Sequence, residues 1–289
     1  MAGGGVAAAA LLPGGRLHLQ EGPIDLVVGA DGPGASAALA AARDALRGML
    51  AGLVSELPLL RAPVPAGSPP GAAGPVARRM VAAVWPYRAG YITPMAAVAG
   101  AVAEHVLAAM AAVPGLARAW VNNGGDVAIH LAPGESLRIG LVRSLARGVP
   151  EGSVAIRAED AVRGVATSGW PGRSFSLGIA DAVTVLAATA AGADAAATVV
   201  ANAVDADHPG IRRAPARSLD PDSDLGDLPV TVAVGALPPA VARAALSRGA
   251  ARAEALRREG LIVGALLAVG DEIRAVGGPA LRVGAPPPP

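Results

Sequence analysis

The sequence predicts an α+β fold, a mostly antiparallel sheet with long alanine-rich helices packed on one face. Two observations point there. Short apolar or alternating runs are linked by turn residues into hairpins, not by helices into a strict alternation. Between them lie long Ala-rich stretches at helical spacing. At 289 residues and 53% apolar content, the chain can bury one large core or two intimate lobes.

In chain order, Arg16 to Gln20 alternates and reads as an edge strand. Ile24 to Gly29 is a second strand, stopped by Asp31-Gly32-Pro33. Ala35 to Leu57 has helical spacing. Pro58 to Pro75 is rich in Pro, Gly and Ala and reads as an exposed loop. Val76 to Val84 is a short helix closed by Trp85-Pro86. Thr93-Pro94 is a helix start, a hydroxyl N-cap with proline at N1, and that helix runs to Val113 with Glu104 and His105 as its only titratable residues.

Ala117 to Val121 leads into Asn122-Asn123-Gly124-Gly125-Asp126 and out through Val127 to Leu131, a strong hairpin signal. Leu137 to Val142 and Val154 to Arg157 add strands. After a Thr167-Ser168-Gly169 turn and a polar loop, Ala182 to Ala187 is a buried strand, and a helix begins near Gly192. An acidic loop, Asp220 to Asp227, precedes a strand at Val230 to Val234, a helix at Pro238 to Glu259 and a closing hairpin, Leu261 to Ala268 with Glu272 to Val276. We expect a single domain of two intimate lobes over 1–283, and a disordered tail over 284–289.

Composition narrows the function classes. The net charge is +1, which gives no bulk attraction to nucleic acid or anionic lipid. There is no cysteine, hence no disulfide, thiolate metal site or cysteine nucleophile. All basic residues are arginine, a mark of genomic base composition. The apolar patch Val6 to Leu12 has no basic residue before it, unlike a secretory leader, so a cytoplasmic location is expected. Ala182 to Val204 is the stretch nearest to a membrane span, but Asp194 and its polar neighbours favour a packed strand plus helix. The four histidines have no metal-ligand spacing, and no GxSxG, P-loop or GxGxxG pattern is present. The aspartate-rich 220–227 segment lacks calcium-loop spacing and reads as a solvated turn.

Three groups of residues remain. Asn123, Gly124, Gly125 and Asp126 offer backbone N–H groups with no side chain in the way of an anion or a flat ring; the same four letters also make a plain hairpin turn. Asp194 and Thr198 lie four apart on one helix face and can ligate magnesium, which accepts few protein oxygens beside waters and phosphates; an aspartate favoured by the helix dipole is the simpler account. Thr167, Ser168 and Gly169 with Arg173 and Ser174 supply hydroxyl and guanidinium donors to a phosphate, or form an ordinary surface loop.

Together and in this order, the alanine-rich helix (Ala96 to Glu104), VNNGGDVAI, LRIGLV, the Thr-Ser-Gly turn, VTV and ADAAAT resemble the ApbE family of FAD-dependent protein flavin transferases, over roughly Thr93 to Asp205. The similarity is greatest to a short branch of that family. The resemblance implies a two-lobed, T-fold-like architecture with FAD between the lobes. It implies that Gly124, Gly125 and Asp126 lie against the nucleotide, and that Asp194 and Thr198 hold Mg2+ beside the pyrophosphate. The implied activity is transfer of FMN from FAD to a serine or threonine of a partner protein. Two departures bear on that activity. The family's His-x-x-Asp-Pro segment is missing from the short interval Trp170 to Asp181, where Asp181 is the only acid. The lysine that members often carry on the alanine-rich helix has no counterpart. A non-catalytic flavin-binding module is therefore the alternative, and no catalytic residue is singled out.

Overall fold

The structure, a computed structural model, describes residues 8–142 and 150–277. It is α+β, dominated by antiparallel sheet with helices. The chain divides into two compact units that interleave in sequence. Unit 1 comprises Met1–Leu137, Arg157–Val165 and Ala188–Ala195; unit 2 comprises Arg138–Ile156, Ala166–Ala187 and Ala196–Pro289. The 284–289 tail lies outside the described residues.

Unit 1 opens on a meander, β1 (Ala8–Leu12), β2 (Arg16–Glu21) and β3 (Ile24–Asp31), each antiparallel to the next. Burial of Ile24, Leu26 and Val28 follows the period of two expected of a strand with one face in the core. Helices α1 (Ala35–Leu46), α2 (Met49–Ser55), α3 (Leu57–Leu60), α4 (Pro75–Val84) and α5 (Val98–Ala111) follow. The hairpin of β4 (Arg118–Asn123) and β5 (Asp126–Leu131) completes the unit's main strands, β4 pairing with β3. Helix α5 packs on β4, β5, α1 and α4. Gly100, Ala101, Ala103 and Val106 are buried in it, because small side chains let it approach its neighbours closely.

Unit 2 holds the two-stranded sheet of β6 (Ser136–Val142) and β7 (Pro150–Arg157), apart from the ends of these strands that count with unit 1. β8 (Gly164–Ser168) begins in unit 1, where Val165 pairs with Val127 and Gly164 with Ala128. In unit 2 the order continues from β8 to β9 (Ala182–Ala187), then β12 (Gly264–Val269) and β13 (Glu272–Val276). Every residue of β9 and β12 is buried, which is why both are nearly all apolar, Thr184 excepted. Helix α6 (Ala190–Ala203) follows β9, with residues 196–203 in unit 2. The remaining elements are β10 (Ile211–Pro215), α7 (Ala216–Leu219), β11 (Pro229–Val234), which pairs with β10, and α8 (Pro239–Arg258), which covers β12 and β13.

Several expectations are corrected. Arg16 to Gln20 is not an edge strand: the apolar patch before it forms β1 and pairs outside it. The Pro-rich 58–75 segment is not all exposed loop. Its start belongs to α3, Leu60 and Val64 are buried, and Glu56 accepts hydrogen bonds from the Ala73 and Gly74 N–H groups. After Thr93 the first turn, Pro94–Ala97, is a 3-10 turn, and Thr93 makes no side-chain cap there. Helix α6 starts at Ala190, not at Gly192: Thr189 caps it, its Oγ1 accepting the Gly192 N–H at 3.1 Å. Among the described residues, the helical stretch long and apolar enough to cross a membrane, by length and composition, is Pro94–Ala111 and not Ala182 to Val204; its α5 portion packs within unit 1.

Candidate functional site

The β4–β5 turn is two residues long, and Gly124 and Gly125 both have positive φ, 64° and 115°. That geometry is open to glycine and strained for other residues. A Cβ built on either meets nothing within 4 Å, so the turn faces open space and the glycines are required by backbone shape alone. Asn122 Oδ1 accepts the Gly125 N–H at 2.8 Å and fixes the turn from inside. Asn123 donates through Nδ2 to the Ala99 carbonyl, 3.2 Å away, tying the turn to the start of α5. Asp126, the first residue past the turn, is 7% exposed.

Asp194 comes to the same place from α6. Its Oδ2 accepts the Gly100 N–H at 3.0 Å, and the Ala99 N–H also bonds to this carboxyl group. Ala99 and Gly100 are in the first turn of α5, where N–H groups have no intrahelical partner, so Asp194 caps a helix other than its own. Glu104 returns the arrangement. From α5, its Oε2 accepts the Ala191 N–H in the first turn of α6, at 2.8 Å. The two helices thus cap each other, and Gly100 allows the approach. A Cβ there would lie 2.3 Å from the Ala190 oxygen and 2.8 Å from the Ala191 Cα.

Capping accounts for one side of Asp194 and leaves the other unexplained. There the Asp126 carboxyl group shares a hydrogen bond with it. Burial, first, and then the Asp126 charge push the Asp194 carboxyl well above the usual aspartate range, against the pull of the two backbone N–H groups. Asp194 keeps some exposed surface, but the protein packed around it dominates its electrostatics. Two neighbouring carboxylates cannot both ionise cheaply: they share a proton or take a cation. Oxygen donors of this kind fit Mg2+, which prefers carboxylates and keeps the rest of its shell for water and phosphate. Among the described residues no cluster of three or more His, Cys, Asp or Glu side chains suits a metal, so a cation here would complete its shell with other ligands.

The other expected residues belong to unit 2. Thr198 is half-buried on α6, one turn beyond Asp194. The Thr167 hydroxyl shares a 2.9 Å hydrogen bond with that of Thr184 on β9. Ser168 ends β8, and Gly169 is buried, where a Cβ would be 2.7 Å from the Asp181 carbonyl. Arg173 and Ser174 are exposed. Asp181 is a clamp: Oδ1 accepts the Trp170 indole N–H at 3.2 Å and Oδ2 the Gly270 N–H at 2.6 Å. Reading residues alone missed Glu104 and Gly100. A lone acid and a lone glycine on an Ala-rich helix carry no local signal; only the packing of α5 on the start of α6 reveals them.

The chain is 42% identical over 134 residues to the UPF0280 protein MK0206 of Methanopyrus kandleri, covering 46% of this chain and 51% of that one. It is 38% identical over 145 residues to the UPF0280 protein of Methanothrix thermoacetophila, covering 50% and 58%. The chain thus spans about half the length of the curated relatives it matches. Among solved structures, the apo crystal structure of Pseudomonas stutzeri flavinyl transferase ApbE is similar at a TM-score of 0.43, with 13% identity and 97% of each chain covered. The sequence model of the AbpE bacteria family matches residues 9–275. That match takes in nearly all of the described chain, and the protein belongs to this ApbE-like family.

Proposed function

We propose that this protein binds FAD or a related nucleotide together with Mg2+, and that Asp126 and Asp194 hold the cation. One observation carries the reading: two carboxyl groups meet beside a glycine turn that is open to solvent, in a member of an ApbE-like family. When bound, the cation neutralises phosphate charge. The protein's own residues do the rest. The Ala99 and Gly100 N–H groups orient the Asp194 carboxylate. Asn122 holds the turn whose backbone lies open to a ring or a phosphate. Within unit 2, Thr198 offers an oxygen to a cation, and Thr167, Ser168, Gly169, Arg173 and Ser174 offer donors to a phosphate. FMN transfer on this site would form a bond from a partner's serine or threonine oxygen to the FMN phosphorus. It would break the pyrophosphate bond, with AMP as leaving group and the hydroxyl proton released. The protein works in the cytoplasm on this reading.

The second reading is a flavin-binding module without transfer activity. Asp181 favours it: the only acid in the shortened Trp170–Asp181 interval holds Trp170 through one oxygen and Gly270 through the other, a structural use of the group.

Titration of FAD followed by flavin fluorescence, with and without Mg2+, tests the shared core of both readings. Binding that requires Mg2+ and is lost in Asp194→Asn is expected. A wild-type protein indifferent to FAD in the presence of Mg2+ would end both. Incubation with FAD and acceptor proteins then separates them, through covalent flavin on an acceptor and release of AMP.

A further inference from the structure

A second concavity lies on unit 1, along α5 beyond the residues that meet Asp194. It is an open cleft of about 340 Å³, in the size range of small-molecule pockets. Leu107, Ala108, Ala111 and Ala188 give it an apolar lining, and Arg79, Arg163 and Thr189 line it too.

The hydrogen-bonding capacity left in this cleft is almost all donor. Arg163 is immobilised by three backbone carbonyls, those of Ala158, Asp160 and Val162. These fix the guanidinium without neutralising it, and among the described residues no carboxylate pairs with it. Two of its five N–H bonds remain. Arg79 spends one nitrogen on long contacts, 3.3 Å to the Pro75 carbonyl and 3.4 Å to His105 Nδ1. Thr189 Oγ1 already accepts the Gly192 N–H, so its hydroxyl proton is free to be donated. The one acid in the lining, Glu104, gives one oxygen to the Ala191 N–H and feels the Arg79 charge, while burial, the larger effect, raises its pKa and disfavours its charged form. A rigid guanidinium with no carboxylate pairing among the described residues, in one lining with a second arginine, suits a carboxylate. The apolar lining distinguishes the ligand from a bare inorganic anion.

We propose that this cleft binds a small organic acid, its carboxylate held by Arg79 and Arg163 and its apolar body laid against Leu107, Ala108 and Ala111. The site is separate from the Asp126–Asp194 pair and does not depend on the flavin reading.

Hexanoate, acetate and inorganic phosphate serve as probes on the full chain. His130 also lines the cleft, and its ring resonances report occupancy by NMR. Hexanoate is expected to shift them saturably in the millimolar range, and acetate and phosphate to bind at least about tenfold more weakly, for want of the apolar contact. Arg79→Gln should weaken hexanoate about tenfold by removing one charged hydrogen-bonding partner. Ala108→Leu, at an exposed position of α5 that lines the cleft, should block it without disturbing the fold. Asp194→Asn should leave hexanoate binding unchanged, so a failure of the flavin reading leaves this result intact. No saturable shift of His130, equal binding of phosphate and hexanoate, or indifference to both Arg79→Gln and Ala108→Leu would overturn the proposal.

Discussion

Asp194 and Asp126 hydrogen-bond to each other through their carboxyl groups, while Asp194 also accepts the Ala99 and Gly100 N–H groups. A contact of that kind is stable only with a proton or a cation between the acids. It is therefore the place where pH and metal should act on the same equilibrium.

A carboxyl group whose folded pKa is raised binds more protons folded than unfolded. Its contribution to stability is full below the ordinary aspartate pKa, and it is lost as pH rises from there through the raised folded value. For Asp194 this means that the protein in EDTA melts at a lower temperature at neutral pH than in mild acid, as far as this group is concerned. Mg2+ should restore the melt at neutral pH, by roughly 3 kcal/mol at about a hundredfold excess over Kd, and do little in acid. Asp194→Asn should flatten both responses. A melt of Asp194→Asn that still rises with Mg2+ at neutral pH would remove the cation from this pair.

Gly100 is the second test of the same junction. A Cβ at this position meets the Ala190 oxygen and carbon at 2.3 and 2.5 Å, which are backbone atoms that cannot swing aside. Gly100→Ala should destabilise the protein by about 1–3 kcal/mol and weaken nucleotide binding, because the Asp194 carboxylate loses its register with α5. Gly52→Ala is the control. It lies in α2 with nothing within 4 Å of its Cβ, and should be neutral or stabilise by up to about 1 kcal/mol. Chemical denaturation of the two variants side by side checks both signs.

Much of this was legible in the sequence, and what escaped has a common cause. The NNGGD hairpin, the buried runs Ala182 to Ala187 and Leu261 to Ala268, and the helices around Val76 and Pro238 carry their own turn and spacing signals. They appear at those places, with ends shifted by a few residues. Nothing local marks β1 as a strand, since AAALL reads equally as helix, and only pairing with β2 decides it. The site divides the same way. Asp194 is visible as an acid near a helix start, where the sequence points to its own helix as its dipole partner. The structure shows the partner to be α5, ninety-four residues away in sequence at Gly100. The roles of Glu104 and Gly100 and the contact of Asp126 with Asp194 arise between distant segments, which one sequence does not display.

His105 provides a pH response of opposite sign. Burial, chiefly, and then the Arg79 charge hold its ring below the usual histidine range. Its unfolded form binds more protons in that window, so stability is present above the ordinary histidine pKa and is lost as pH falls through the lowered folded value. His105→Gln should make melts between about pH 5 and 7 less pH-dependent. Unchanged pH dependence in the variant would show that the ring titrates as it does in water.

Asp181 decides between a structural and a chemical role for the last acid before β9. Its two oxygens hold the Trp170 indole N–H and the Gly270 backbone N–H, so Asp181→Ala leaves two donors unpaired and should cost about 1–3 kcal/mol. Asp181→Asn keeps one acceptor oxygen and should recover part of that loss. Trp170 fluorescence should shift in both variants, more in alanine. If FMN transfer is found, the clamp reading predicts that it falls in step with stability and is largely retained in Asp181→Asn at low temperature. Activity abolished in Asp181→Asn with an unaltered melt and unaltered Trp170 emission would instead make this carboxylate part of the chemistry, and would remove the main observation favouring a binder without transfer.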